Sequence, residues 1–198
     1  RDYYASRGLG DVYKRQVVHS AENWYYDAVA NVYWKDLMTG LSETVFGPSE
    51  PLLRAEFAVI LHRMEDLPKV SYDGRYQDVA DGLWYTDAVA WASEEGVITG
   101  YGAGEMFGPG DYISREQMAT MMYRYAKRKG YDTSVKADLG SYKDASEVSA
   151  FAEEAMQWAV GNKIISGKQE GTILDPQGNT TRSECAVILT RFMDTYNK

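Results

Sequence analysis

The chain states one unit three times, and that repetition constrains its fold more than any other feature. The middle copy begins at Trp84 as WYTDAVAWASEEGVITG and, after a short gap, continues MFGPGDYISREQMATMMYRYAK. An earlier copy begins at Trp24 as WYYDAVANVYWKDLMTG and continues VFGPSEPLLRAEFAVILHRM. A later copy begins at Phe151 as FAEEAMQWAVGNKIISG and continues ILDPQGNTTRSECAVILTRF. Gly40, Gly100 and Gly167 correspond, as do Pro48, Pro109 and Pro176, and Arg54, Arg115 and Arg182. A unit this small cannot bury its apolar face alone and must pack on its neighbours. Function is then expected where units meet, and in multiples.

The middle copy shows the elements of one unit. Trp84, Ala88, Val89, Trp91 and Ala92 recur at helical spacing. Gly96 is a natural stop, because glycine takes a left-handed conformation cheaply. Thr99-Gly100-Tyr101-Gly102 reads as a tight turn, and Phe107-Gly108-Pro109 anchors the loop after it. Ser114 and Gln117 form a capping box ahead of a second helix, whose apolar face is Met118, Met121, Met122 and Tyr125. Thr181 and Glu184 repeat the box in the third copy. The unit is helix, glycine-containing loop, helix, preceded by a short extended lead-in such as Tyr76-Gln77-Asp78-Val79. Asp78 and Asp144 are expected to accept local backbone hydrogen bonds there. The reading divides the chain into repeat units over 17–66, 75–130 and 141–196, with polar linkers between them. Residues 1–16 match no part of the repeat and resemble translated adaptor sequence, so they are set apart from the fold.

The first copy departs from the pattern. Its start is truncated, Asn31 stands where the others have Trp91 and Trp158, Asp36 replaces the stopping glycine, and Leu53 replaces the capping Ser or Thr. The groove that depends most on this copy is therefore expected to be the weaker one.

Composition removes several function classes. A net charge of −8 argues against a nucleic-acid binder and gives no long-range pull on an anionic polymer, so any anion site must be local. The single cysteine, Cys185, cannot form a disulfide within the chain and reads as a small buried hydrophobe. No apolar run is long enough to span a membrane. The two histidines lie outside the repeated motifs, and no nucleophile elbow, phosphate loop, zinc-ligand spacing or calcium loop is present. No catalysis, metal or cofactor is expected.

The series Asp-Val, WY-DAV-WA, G-ITGY, FGP and (S/T)-R-x-(E/Q) before a helix resembles the S-layer homology domain, and the resemblance covers residues 22–196. It implies a mainly α fold of three helix–loop–helix repeats packed as a pseudo-threefold spindle. It also implies an extracellular, cell-wall-associated module, part of a larger exported protein, that anchors it non-covalently to Gram-positive secondary cell-wall polysaccharide. The implied ligand is a pyruvylated amino-sugar glycan held in grooves between repeats. The family's threonine-arginine-alanine-glutamate motif maps onto Leu53-Arg54-Ala55-Glu56, Ser114-Arg115-Glu116-Gln117 and Thr181-Arg182-Ser183-Glu184. Arg54, Arg115 and Arg182 are thus expected to grip a glycan carboxylate, because a first-turn arginine adds a bidentate fork to free helix N–H groups. Trp91 and Trp158 are candidates for stacking on a sugar. Gly100, Gly102 and Gly167 are candidates for close approach of a glycan to the backbone. The rival reading is a protein-binding or self-assembling scaffold of a surface layer.

Overall fold

The computed structural model describes residues 23–196 except 44 and 103, so the tail assigned to residues 1–16 and the start of the first unit lie outside the described residues. Six α-helices are present among them: α1 Tyr26–Trp34, α2 Arg54–Met64, α3 Thr86–Glu94, α4 Arg115–Arg128, α5 Glu153–Gly161 and α6 Arg182–Tyr196. A 3-10 turn, Ala145–Glu147, precedes α5. The described residues form no strand, only isolated bridges. Each repeat contributes a short first helix and a longer second one, as its apolar spacing and capping box require.

The helix stops follow one rule in three chemistries. Gly96 ends α3 at φ +67°, and the corresponding Asp36 and Lys163 adopt φ 56° and 58° after α1 and α5. The left-handed stop is therefore a demand of the fold, met by glycine only once. A side chain in that conformation costs about 1–2 kcal/mol, so the surrounding packing holds Asp36 and Lys163 there.

Helix packing runs between repeats. α2 packs on α3, α4 on α5, and α6 returns to α1, which closes the three units into a ring. Asn31, in place of the tryptophan of the other copies, donates from Nδ2 to Thr190 Oγ1 at 3.1 Å across that closing contact. At the centre, three backbone hydrogen bonds form a cycle. Leu52 N–H donates to Thr180 O, Thr180 N–H to Ile113 O, and Ile113 N–H to Leu52 O, each at 2.9 Å. These residues occupy equivalent positions before α2, α6 and α4, so the chain's pseudo-threefold axis passes among them. The core around it includes Phe46, Phe107 and Leu174 from the loops and Trp158, Cys185, Leu189 and Phe192 from the third repeat, all buried. Burial pushes the Cys185 thiol's pKa up, which suits an inert core residue.

The lead-ins carry turns that fix the loop of their own repeat. Val79 N–H donates to Tyr76 O at 3.3 Å, and Ala145 N–H to Tyr142 O at 3.3 Å. The Asp78 carboxylate then accepts from Phe107 N–H at 2.8 Å and Gly108 N–H at 2.6 Å. Asp144 does the same for Leu174 and Asp175 at 2.8 and 2.7 Å. The sequence suggests local bonds; these instead reach across the repeat to its second loop, because the lead-in packs beside that loop.

Candidate functional site

The repeated arginines open α2, α4 and α6, and the fold buries them. Arg54, Arg115 and Arg182 are 3%, 3% and 4% exposed. Each donates its Nε to a carbonyl of the following repeat's loop, counting cyclically: Arg54 to Phe107 O at 3.0 Å, Arg115 to Leu174 O at 2.8 Å and Arg182 to Phe46 O at 2.9 Å. Burial works against the charge and holds each guanidinium's pKa below its ordinary value.

The helix N-termini beside them do not have the free N–H groups that the sequence suggests. Arg54 N–H donates to Asp111 O, Arg115 N–H to Gly178 O and Arg182 N–H to Glu50 O, at 2.9, 3.0 and 2.9 Å. The next N–H of each helix bonds Pro109 O, Pro176 O or Pro48 O. The neighbouring repeat's loop thus satisfies the orphan donors, and the recurring proline carbonyl is one of its acceptors. Ser114 and Thr181 take the N–H of Gln117 and Glu184 at 3.2 and 3.3 Å, as the capping boxes predict, and Leu53 makes no side-chain cap. The first two N–H groups of each helix are thus closed to an anion, which leaves the side chains beside them to hold it.

Beside each arginine lies a groove assembled from all three repeats. One is lined by Arg54, Thr99, Gly100, Tyr101, Gln117, Arg124 and Phe151, with a volume of about 320 Å³. The second gathers Arg182, Thr39, Glu56, Arg63 and Trp84 around about 130 Å³. The third gathers Arg115, Ser166, Gly167, Lys168, Glu184, Arg191 and Trp24 around about 240 Å³. Corresponding positions therefore recur in every groove: the buried arginine, the Thr/Ser turn, the box residue Glu or Gln, a second arginine and an aromatic ring.

The box residues separate the grooves. Glu56 accepts from Leu53 N–H at 2.8 Å with one oxygen and from Arg182 Nη1 at 2.9 Å with the other. Glu184 caps Thr181 at 3.1 Å and stands 3.9 Å from Arg115 Nη1 and 3.1 Å from Lys168 Nζ. Gln117 caps Ser114 at 3.3 Å but carries no charge to offer Arg54.

Several sequence candidates change role. Trp91 and Trp158 are 2% and 0% exposed, so neither offers a face to a sugar. They are core residues; the Trp158 indole N–H donates to Tyr196 Oη at 3.0 Å. The exposed rings are those at the helix starts, Trp24 at 66%, Trp84 at 63% and Phe151 at 58%. Gly100 and Gly167 line their grooves, and a Cβ on either would sit 2.6 Å from Met106 O or 2.9 Å from Gly171 Cα. They are glycines because their own loop folds over them. Gly102 also lines the Arg54 groove, at φ +53°. The second arginines were not singled out from the sequence, although they recur in one register of the second helix. Arg63 donates to Leu37 O, Arg124 to Thr99 Oγ1 and Arg191 to Ser166 Oγ, at 3.1, 3.1 and 3.0 Å. That recurrence was the signal available.

The family model described as the S-layer homology domain matches residues 17–58, 75–119 and 141–186. The chain belongs to the S-layer homology domain family. Its relatives include an endoglucanase of Bacillus sp. (strain KSM-635), 31% identical over 86% of this chain and 18% of that protein. The surface-layer 125 kDa protein of Lysinibacillus sphaericus is 29% identical over 85% of the chain and 14% of its own length. An S-layer protein of Bacillus thuringiensis subsp. finitimus is 29% identical over 86% of the chain and 20% of its length. The chain thus spans about a fifth or less of these relatives, and the likeness to the endoglucanase concerns the S-layer homology region alone. Membership and the surface-layer relatives place this module at the cell surface, associated with the cell wall. Among the described residues no helix is long and apolar enough to cross a membrane.

Proposed function

We propose that this S-layer homology module is a non-catalytic anchor that binds acidic, pyruvylated secondary cell-wall polysaccharide in the grooves between repeats. In this role it tethers an exported or surface-layer protein to a Gram-positive wall. The observation that carries the reading is the recurring groove: a buried arginine, a second arginine and an exposed ring, supplied by three different repeats. A ketal carboxylate suits a planar guanidinium fork. The C–H face of a sugar suits Trp24, Trp84 or Phe151. Local donors also explain how a chain of net charge −8 would hold an anionic polymer. Several grooves on one chain would add avidity along a polymer.

The test is cosedimentation of the full chain with Gram-positive sacculi before and after mild acid hydrolysis of the ketal. The triple variant Arg63→Ala, Arg124→Ala, Arg191→Ala is run beside it, with its helical circular dichroism checked first. Binding lost in both arms supports the anchor. Failure to bind native walls overturns it, and binding indifferent to the ketal moves the reading toward a surface-layer protein partner.

A further inference from the structure

The strongest asymmetry in an otherwise threefold molecule lies at the box position, which is Glu56 in the first copy, Gln117 in the second and Glu184 in the third. Each of these side chains faces the arginine of the preceding copy. Where it is glutamate, the fold supplies its own carboxylate: Glu56 on Arg182 and Glu184 near Arg115 and Lys168. Arg182 also bonds Thr39 O through Nη2, and Arg115 bonds Ser166 O at 2.9 Å through its own Nη2. These guanidiniums are occupied. Where the residue is glutamine, the group left over after capping is an amide NH2, a donor that cannot pair with a guanidinium.

Arg54 is accordingly different. Its Nε is held by Phe107 O, and its guanidinium lies 4.3 Å from the Tyr101 ring centre and 5.0 Å from that of Phe107. Among the described residues no hydrogen-bond acceptor or ion pair is found at its terminal nitrogens, and Asp111 and Asp78 act on its charge only from further off, although the side chain is almost wholly buried and lines the largest of the three grooves. A buried charge without a directly bonded counter-ion is costly, and an entering anion relieves that cost. Arg124 lines the same groove, whose lining contains no acidic side chain.

We infer that the three grooves are not equivalent: the groove of Arg54 is the chain's primary carboxylate site, opened by Gln117, while Glu56 and Glu184 act as internal carboxylates that occupy the other two. This rests on the anchoring function proposed above and assigns the specificity within it to one residue. It agrees with the expectation that the groove depending most on the degenerate first copy is the weaker one, because that groove is the one of Arg182, Thr39, Glu56 and Arg63. The missing cap at Leu53 weakens the start of α2, but the competition at the arginine is set by the box residue of the next repeat.

The experiment is isothermal titration of the full chain with a methyl glycoside of N-acetylhexosamine carrying a 4,6-pyruvate ketal. Native chain is compared with Gln117→Glu and Glu56→Gln. Both exchanges place at one copy a residue that another copy already carries, so the cap and fold are retained. One dominant site per native chain is expected. Gln117→Glu should weaken it by about tenfold or more, the effect of a competing internal ion pair, and Glu56→Gln should add a second site. Native binding that Gln117→Glu leaves within about twofold overturns the inference and leaves the anchoring function standing. A native chain that binds neither this probe nor sacculi overturns the anchoring function itself, and the inference with it.

Discussion

Replacing Asp78 by alanine should destabilise the module and, through one backbone carbonyl, weaken the Arg54 groove. The Asp78 carboxylate accepts from Phe107 N–H at 2.8 Å and Gly108 N–H at 2.6 Å. A hydrogen bond to a charged group contributes about 1.5–3 kcal/mol, and a donor left unpaired beside a buried residue costs a similar amount. Asp78 is only partly buried, so water recovers some of this, and the sum falls at the lower end, about 3 kcal/mol. Asp78→Asn keeps one acceptor and should lose about half as much. Phe107 is the residue whose carbonyl holds Arg54 Nε, so a shifted loop also loosens the guanidinium. Urea unfolding followed by far-ultraviolet circular dichroism gives the stability, and titration with the pyruvate-ketal glycoside gives the groove. An Asp78→Ala chain within about 0.5 kcal/mol of native would refute the idea that this carboxylate fixes the loop. A destabilised chain with unaltered glycoside affinity would refute the coupling to Arg54.

Further outcomes follow from individual contacts. Burial works against ionised Glu65, but the Tyr125 hydroxyl at 2.5 Å and Lys129 at 2.9 Å outweigh it and hold its pKa below the ordinary 4.5. That stabilisation is present above the unfolded value and is lost as pH falls through the depressed folded one. Urea curves for native chain and Glu65→Gln should therefore differ by about 1 kcal/mol at neutral pH and converge in acid once the depressed folded pKa is passed. Trp158→Ala should cost about 3–5 kcal/mol in the same assay, whereas Phe151→Ala, at the exposed ring of the Arg54 groove, should leave stability within about 0.5 kcal/mol and reduce retention on sacculi. Thr180 Oγ1 is buried on the central axis with no hydrogen-bond partner among the described residues, where the other copies place Leu52 and Ile113. Thr180→Val should raise stability by about 1 kcal/mol, read from the urea midpoint.

The sequence by itself determined the repeat, the helix–loop–helix unit and the capping boxes at Ser114 and Thr181. All of these depend on residues close together in the chain, where spacing and capping chemistry act directly. It also singled out Arg54, Arg115 and Arg182 by their recurrence. Tertiary structure alone decided what those arginines meet. Glu56 reaches Arg182 only because α6 returns to α1 and closes the ring, a contact invisible to any local pattern. The same closure supplies carbonyls to helix N–H groups that look free in one repeat read alone. For a related reason the sequence leaves the tryptophans open between core and groove: helical spacing gives the width of an apolar stripe but not which of its rings lies at the centre of the packed face. Trp91 and Trp158 lie within it, while Trp24 and Trp84 stand at its edge in grooves that exist only once three repeats are assembled.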